Sequence, residues 1–395
     1  MLNNTAHKLT KLKGFFLNKK TLIITYILLA VITALKQYAK GSFNNYLIFK
    51  HTYWHSVNFQ NLYISYPEYM DTNHYGPIFS IIITPFALLP DGAGTILWNI
   101  ANVSILLWGI LSLPMKLNNR IIIGWICAHE ALTALFSFQF NIALTGLLLL
   151  SFSYIYKQKE FRSALAIMIG TFVKLYGIVG LSFFFFIKNK GRFILSLIIS
   201  FLICLALPML ISSPEFVFQS YQDWYHSLVE KNSLNASLNS AQDISVMGLA
   251  RRLTQNPAIS NLPFLIAGLS LFALPYLRIK QYKHLSFQLM LLASTLIFTV
   301  IFSSGSESPT YIIAFSGVAI WFLNQENKPN KLTISLFIFA LVLTSLSPSD
   351  LFPNFIRKNY VQPYSLKALP CILIWLHIVY LMLVKDFSKF KLNQP

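Results

Sequence analysis

The sequence predicts an all-α protein, a bundle of roughly 10 to 13 transmembrane segments, from three observations. Of its 395 residues 55% are apolar and only 11% are charged, too little polar surface for a soluble globule. Apolar runs recur from residue 21 to residue 384. Runs such as 193–211 are apolar on every face, which suits a lipid-facing or bundled helix; closed β-barrels are excluded because their strands alternate apolar and polar positions.

The first apolar run begins at Leu22, directly behind Lys19 and Lys20, and no small-residue cleavage site follows it. It reads as a retained helix rather than a signal peptide. The further candidate spans are 77–90, 94–113, 121–138, 141–156, 163–187, 193–212, 258–277, 285–302, 309–323, 332–346 and 368–384, after a first span at 21–36. No internal repeat and no separate soluble domain is evident, so residues 1–395 form one membrane domain with long connections at 37–76 and 213–257.

A net charge of +18 raises the question of nucleic acid, but the basic residues are sorted in a different way. Residues 1–20, 116–120, 157–162, 188–192, 278–283, 328–331 and 385–391 hold 21 of the 31 Lys and Arg, with only Glu160 and Asp386 among them and Glu326 just before the 328–331 run. Short basic loops between apolar runs mark the cytoplasmic face of a membrane protein. The N-terminus is therefore expected in the cytoplasm, with no nucleic-acid partner. Eight of the thirteen carboxylates, Glu68, Asp71, Glu215, Asp223, Glu230, Asp243, Glu307 and Asp350, fall in the opposite set of loops.

Charge parity conflicts with the span list in two places. If 157–162 and 188–192 are both cytoplasmic, the residues between them must dip in and return; Gly170, Lys174, Gly177 and Gly180 suit a hairpin of two short helices lining a cavity. Likewise, 77–90 and 94–113 cannot both be full spans if 116–120 is inside.

Several chemistries are absent. No Gly-rich phosphate loop with a following Lys-Ser/Thr occurs, which argues against a nucleotide-driven pump, and no His-Glu-x-x-His pair occurs. Cys127, Cys204 and Cys371 all lie inside apolar runs and read as packing residues. His129-Glu130 reads as a helix–helix polar contact or as a proton relay.

Between the first span and the rest lies a polar, aromatic-rich stretch, 44–77, carrying Glu68, Asp71 and His74. Carboxylates placed there in an acid-poor membrane protein point to a function. The motifs Asn44-Asn-Tyr-Leu-Ile-Phe49, Asn61-Leu-Tyr63, Tyr66-Pro67, Asp71 and Tyr75-Gly-Pro-Ile-Phe-Ser80 open a longer series. It continues through Pro85-Phe-Ala-Leu-Leu-Pro90, Trp98-Asn99, Gln139-Phe-Asn141, Val173-Lys-Leu-Tyr176 and Asn239-Ser-Ala-Gln-Asp-Ile-Ser245, then Gly248 and Arg251-Arg252. Taken in order over most of the chain, the series resembles glycosyltransferase family 87, integral-membrane enzymes of the GT-C type similar to polyprenol-phosphate-mannose-dependent mannosyltransferases.

That resemblance implies a polyprenyl-phosphate sugar donor, a glycan or glycolipid acceptor and a lipid bilayer as setting. It also implies a periplasmic active site on a bacterial inner membrane and inversion at the sugar carbon by one carboxylate base. The chain departs from it at Asn44 and Asn45, near where such families carry an Asp, and lacks a Trp/His-bearing motif near Ser303–Tyr311.

Inverting transfer needs a carboxylate to take the acceptor hydroxyl proton and cations to hold the departing phosphate. Asp71 is the expected base and Glu68 the second candidate; a helix starting at Pro67 would put both on one face. Lys174, in the middle of an apolar run, and Arg251 and Arg252, at membrane-surface height, are the expected phosphate ligands. Asn45, His74, Tyr75, Gln139, Asn141, Gln242, Asp243, Glu307 and Tyr311 are the candidate sugar or acceptor contacts. Neither a metal site nor a cofactor is expected, and a lone carboxylate pair is the only feature suited to Mg²⁺. The other classes consistent with the sequence are a transporter or lipid flippase using Lys174, His129 and Glu130, and a non-catalytic glycan-assembly partner.

Overall fold

The computed structural model describes residues 13–326 and 328–390. Lys8, Lys11 and Lys391 of the basic clusters lie outside the described residues. Within these bounds the chain is helical and has no strand. Four helices are long and apolar enough to cross a membrane: α1 (Lys19–Ala39), α4 (Asp91–Ser112), α8 (Lys190–Ala206, continuing to Leu210) and α15 (Leu369–Val384, entered from Leu366). The shorter apolar helices are α6 (Asn141–Tyr156), α11 (Leu262–Ala273, continuing to Leu277), α12 (Leu285–Ile301), α13 (Tyr311–Leu323), α14 (Lys331–Phe339, continuing to Leu346) and the 3₁₀ segment Leu175–Phe186. The remaining helices of nine residues or more among the described residues are α2 (Asn44–Val57), α3 (Phe79–Ala87), α5 (Leu117–Phe136), α7 (Glu160–Val173), α9 (Pro214–Asn235) and α10 (Val246–Thr254).

The bundle has two unlike ends. At one, short connections meet: the Trp125 indole donates to the Phe16 carbonyl, Arg278 to the carbonyls of Leu383 and Lys385, and Lys385 pairs with Glu326 at 3.6 Å. These are the basic loops. At the other end α2, α3, α9, α10 and the segments 58–77, 211–213, 236–245, 303–310 and 347–366 build a cap.

The expected span 77–90 is corrected by the structure. Residues 79–87 form a helix of nine residues, α3, about 13 Å long, packed on α2 at the cap end. Tyr38 at the end of α1 meets Gly92, and Lys50 of α2 bonds Asp91 at 2.6 Å, so the chain has not left that end when α4 begins. The parity conflict disappears.

The segment 160–186 is the hairpin that charge parity requires. It breaks at Lys174, whose backbone is extended (φ −147°, ψ 115°). The returning 3₁₀ segment rises about 2 Å per residue, so twelve residues reach as far as sixteen of an α-helix. A Cβ on Gly177 would sit 2.1 Å from the Thr171 nitrogen and 2.7 Å from Gly170 Cα, so the two arms meet backbone to backbone and only glycine fits.

The cap locks onto this hairpin tip. The Gly76 N–H donates to the Val173 carbonyl at 3.1 Å, and a Cβ at Gly76 would lie 2.0 Å from the Phe172 carbonyl oxygen. Phe49, Tyr75 and Phe79 then pack as one aromatic layer with centroids 4.8–4.9 Å apart.

Candidate active site

Where cap and hairpin meet, they enclose a cavity of about 370 Å³, within the range of small-molecule pockets. Eight of the predicted residues line it: Asn45, Asp71, His74, Tyr75, Gln139, Lys174, Gln242 and Glu307. They come from six separate parts of the chain, so the cavity exists only in the folded cap.

Asp71 stands at the rim. Its backbone is left-handed (φ +71°), a conformation Asp tolerates better than most residues, and its carboxylate accepts the Thr72 N–H at 2.9 Å. His74 Nε2 lies 3.8 Å from one oxygen and Lys231 Nζ 3.4 Å from the other. The His74 imidazole, the Thr72 N–H and Lys231 together hold the Asp71 carboxyl well below the usual carboxylate range, against the opposing effect of burial. His74 is itself positioned: Nδ1 meets Ser227 Oγ at 2.8 Å, and the Trp224 indole donates to its carbonyl at 2.9 Å.

Lys174 forms the inner wall. Its ammonium donates to Asn141 Oδ1 at 3.0 Å and lies 5.1 Å and 5.9 Å from the ring centroids of Tyr176 and Tyr75. Asn141 donates to Gln139, and Gln139 donates to Glu307 at 2.8 Å. One chain of amides thus ties the cation at the hairpin tip to a carboxylate across the cavity.

Other predicted residues are used elsewhere. Glu68 is not on a face shared with Asp71, because 58–77 is a loop and Asp71 turns left-handed. Asn141 is fully buried behind the cavity wall, and Tyr311 is buried with its hydroxyl donating to the Ile244 carbonyl at 2.8 Å. Arg251 and Arg252 are not displayed at the surface: only 3% and 4% exposed, they clasp Asp243 and its neighbours. Arg251 bonds the Asp243 carboxylate at 2.5 Å, while Arg252 donates to the carbonyls of Ser240, Gln242 and Asp243. Burial pushes the Asp243 carboxyl up, and Ser245, Arg251 and Arg252 oppose it. Most of their donors are taken up inside the cap, on Ser240, Gln242, Asp243, Ile259, Asn261 and Ser365. His129 bonds Ser345 at 3.2 Å and Glu130 pairs with Lys367 at 3.1 Å, helix–helix polar contacts away from the cavity.

The cavity also contains residues not singled out from sequence. Trp224, Leu228, Lys231, Asn232 and Asn235 form one stripe of α9, and Tyr176, Ser303 and Ser304 complete the wall. A signal for α9 was present: Ser213 caps it by accepting the Phe216 N–H at 3.2 Å, Pro214 opens it and Glu215 follows. Spacings of four, three, one and three residues from Trp224 then fix one face.

A polar cavity with a carboxylate facing lysines, at one end of an apolar bundle, fits transfer of an anionic-leaving-group substrate, and comparison with known families decides which. The family model for glycosyltransferase family 87 matches residues 73–304, more than half of the chain. The chain belongs to glycosyltransferase family 87. It is accordingly a membrane enzyme that transfers a sugar to an acceptor. No curated protein matches it. Of the residues lining the cavity of this family 87 enzyme, His74, Gln139, Lys174, Lys231 and Gln242 fall inside the matched segment, whereas Asp71 and Glu307 flank it.

Proposed function

We propose that this enzyme moves a hexose, mannose-like, from a polyprenyl-phosphate donor to a hydroxyl of a lipid-linked or surface glycan, with inversion, in the cavity between Asp71 and Lys174. The observation that carries the reading is the opposition of an ionised carboxylate at the rim to two ammonium groups, Lys231 and Lys174, at the mouth of an apolar bundle. A polyprenyl chain needs lipid beside the site, and its phosphate needs cations inside it.

In the proposed step the acceptor hydroxyl oxygen forms the new bond to the sugar carbon while the carbon–oxygen bond to phosphate breaks. The electron pair leaves with the phosphate, whose growing charge Lys174 and Lys231 stabilise, and the hydroxyl proton passes to Asp71. Low basicity does not disable Asp71: the hydroxyl becomes acidic only as its bond to carbon forms, so the proton moves late. The Gln139–Glu307 pair and Gln242, Asn232 and Asn235 present amide and carboxylate groups suited to sugar hydroxyls. No step of this proposed transfer runs through a metal.

The two ends of the bundle orient the protein in this proposal. The basic end faces the cytoplasm of a bacterial inner membrane, and the cavity faces the periplasm. The deciding experiment follows transfer from a radiolabelled polyprenyl-phosphate mannose by the purified full-length protein in nanodiscs. Wild type should transfer the label and Asp71→Asn should lose 10²-fold or more in kcat with little change in KM. Full activity of Asp71→Asn would remove Asp71 as base, and label transfer from a nucleotide sugar alone would remove the lipid donor.

A further inference from the structure

On a face of α2 next to the cavity, but not lining it, two histidines and a carboxylate converge. His51 and His55 are four residues apart and so stack on one side of the helix, with ring centroids 5.5 Å apart. The 58–71 loop folds back over them and delivers Glu68. One ligand atom from each of His51, His55 and Glu68 lies within 4.8 Å of the other two. The sequence predicts no metal: His51 and His55 alone are two ligands on one helix, and the third, Glu68, arrives only through the fold of the loop.

A second feature points to a ligand. His55 is only 3% exposed, and its Nδ1 is buried without any hydrogen-bond partner. Tyr66 stacks on the ring at 3.9 Å and Tyr69 lies at 6.1 Å, so apolar ring faces exclude water from one side of the imidazole. Buried polar nitrogens are nearly always satisfied, and an orphan in a cluster of metal-ligating side chains marks a missing partner. The nearby Lys50 does not neutralise Glu68, since its ammonium bonds Asp91 at 2.6 Å.

We infer that His51, His55 and Glu68 form a divalent transition-metal site of the Zn²⁺ class, with solvent completing the coordination. Two imidazoles and one carboxylate are a borderline-soft set that suits Zn²⁺ rather than Mg²⁺ or Ca²⁺. Zinc bonds of about 2.0–2.1 Å bring tetrahedral ligand atoms to roughly 3.3 Å of one another, so closure needs rotation of the exposed Glu68 and half-buried His51 about fixed His55. The ion fastens the 58–71 loop to α2 three residues before Asp71, so it orders the cavity rim without entering the transfer step.

The test uses untagged full-length protein in detergent, stripped with EDTA and reloaded with Zn²⁺ or Co²⁺. Expected are one Zn²⁺ per chain by elemental analysis, a rise in the unfolding temperature on reloading, and a visible d–d band for the Co²⁺ form. Glu68→Gln, a surface substitution that leaves folding intact, should weaken Zn²⁺ binding roughly tenfold or more, as should His51→Ala. A wild-type protein that takes up no stoichiometric Zn²⁺, or a Glu68→Gln protein that binds it with unchanged affinity, would overturn the assignment. Neither result depends on glycosyl transfer, so the site stands or falls separately from the proposed reaction.

Discussion

Asn44 and Met70 are joined by two hydrogen bonds: the Asn44 amide donates to the Met70 carbonyl at 2.6 Å and accepts the Met70 N–H at 2.7 Å. The amide at this position therefore works as a clasp, holding the residue immediately before Asp71 against the start of α2. A carboxylate could accept but not donate, and would face the Met70 carbonyl with like charge.

Asn44→Asp should accordingly loosen the rim rather than supply a base. The expected result is a loss of about 1 kcal/mol in stability and a several-fold lower rate of transfer, read by thermal unfolding and by kinetics with the polyprenyl-phosphate donor. A rate that rises with Asn44→Asp would show that an acid at this position serves the chemistry directly and would displace Asp71.

The pH profile tests what holds Asp71 ionised. Its folded-state value is depressed, chiefly by His74, so the charged form and its contribution to stability are present above the unfolded value near 3.9 and are lost only as pH falls through the lower folded value. No acid limb from Asp71 should appear between about pH 5 and pH 8. Replacing His74 by Gln, or Lys231 by Ala, removes a lowering influence and raises the carboxyl toward its ordinary range. The acid limb of kcat should move to higher pH in each variant, further for His74→Gln. A limb that stays in place in both would place the essential carboxylate elsewhere, with Glu307 next to be tested.

The bundle and its charged ends were legible because a bilayer demands long apolar runs and sorts Lys and Arg by side, constraints that act on composition alone. Charge parity called for a hairpin near Gly170, Lys174, Gly177 and Gly180, and the helix ends there, at Lys174. The helix α3 escaped because nine apolar residues read the same whether they cross a membrane or lie under a cap. Of the residues that line the cavity, those whose type announces chemistry, such as Asp71, His74 and Lys174, were visible in the sequence. Their competitors could not be dismissed from sequence. Arg251 and Arg252 look like phosphate ligands until the fold supplies Asp243 as their partner, and Glu130 looks like a relay group until Lys367, 237 residues away, arrives beside it. Pairing across such distances is a property of tertiary structure. The same holds for Glu68, whose partners His51 and His55 lie on another element.

Lys174 separates charge from packing. The side chain is half-buried at the hairpin tip and bonded to Asn141, so Lys174→Gln keeps a donor for that amide and removes only the cation. Transfer should fall roughly 10²-fold, about 2.7 kcal/mol of lost charge stabilisation in the transition state, while the unfolding temperature changes little. Lys174→Ala should lose the same activity plus some stability. Equal activity of Lys174→Gln and wild type would show that the phosphate is held by other groups, with Lys231→Ala the variant to compare.

The Glu130–Lys367 pair is a structural test. Glu130 is fully buried and Lys367 is 3% exposed; the ammonium bonds both carboxylate oxygens at 3.1 Å and also the Ser308 carbonyl and hydroxyl, at 3.1 Å and 3.0 Å. It further lies 4.9 Å from the centroid of the Tyr311 ring. Through Ser308 and Tyr311 the pair anchors the segment that presents Glu307 to the cavity. Lys367→Met strands a buried carboxylate and should cost about 3–5 kcal/mol, whereas the double variant Glu130→Gln/Lys367→Met removes both charges and should recover most of that loss. The comparison is read by unfolding temperature in one detergent, with transfer activity measured alongside. If the double variant recovers stability but not activity, the pair also sets the position of Glu307; if Lys367→Met alone is as stable as wild type, the pair does not hold these helices together.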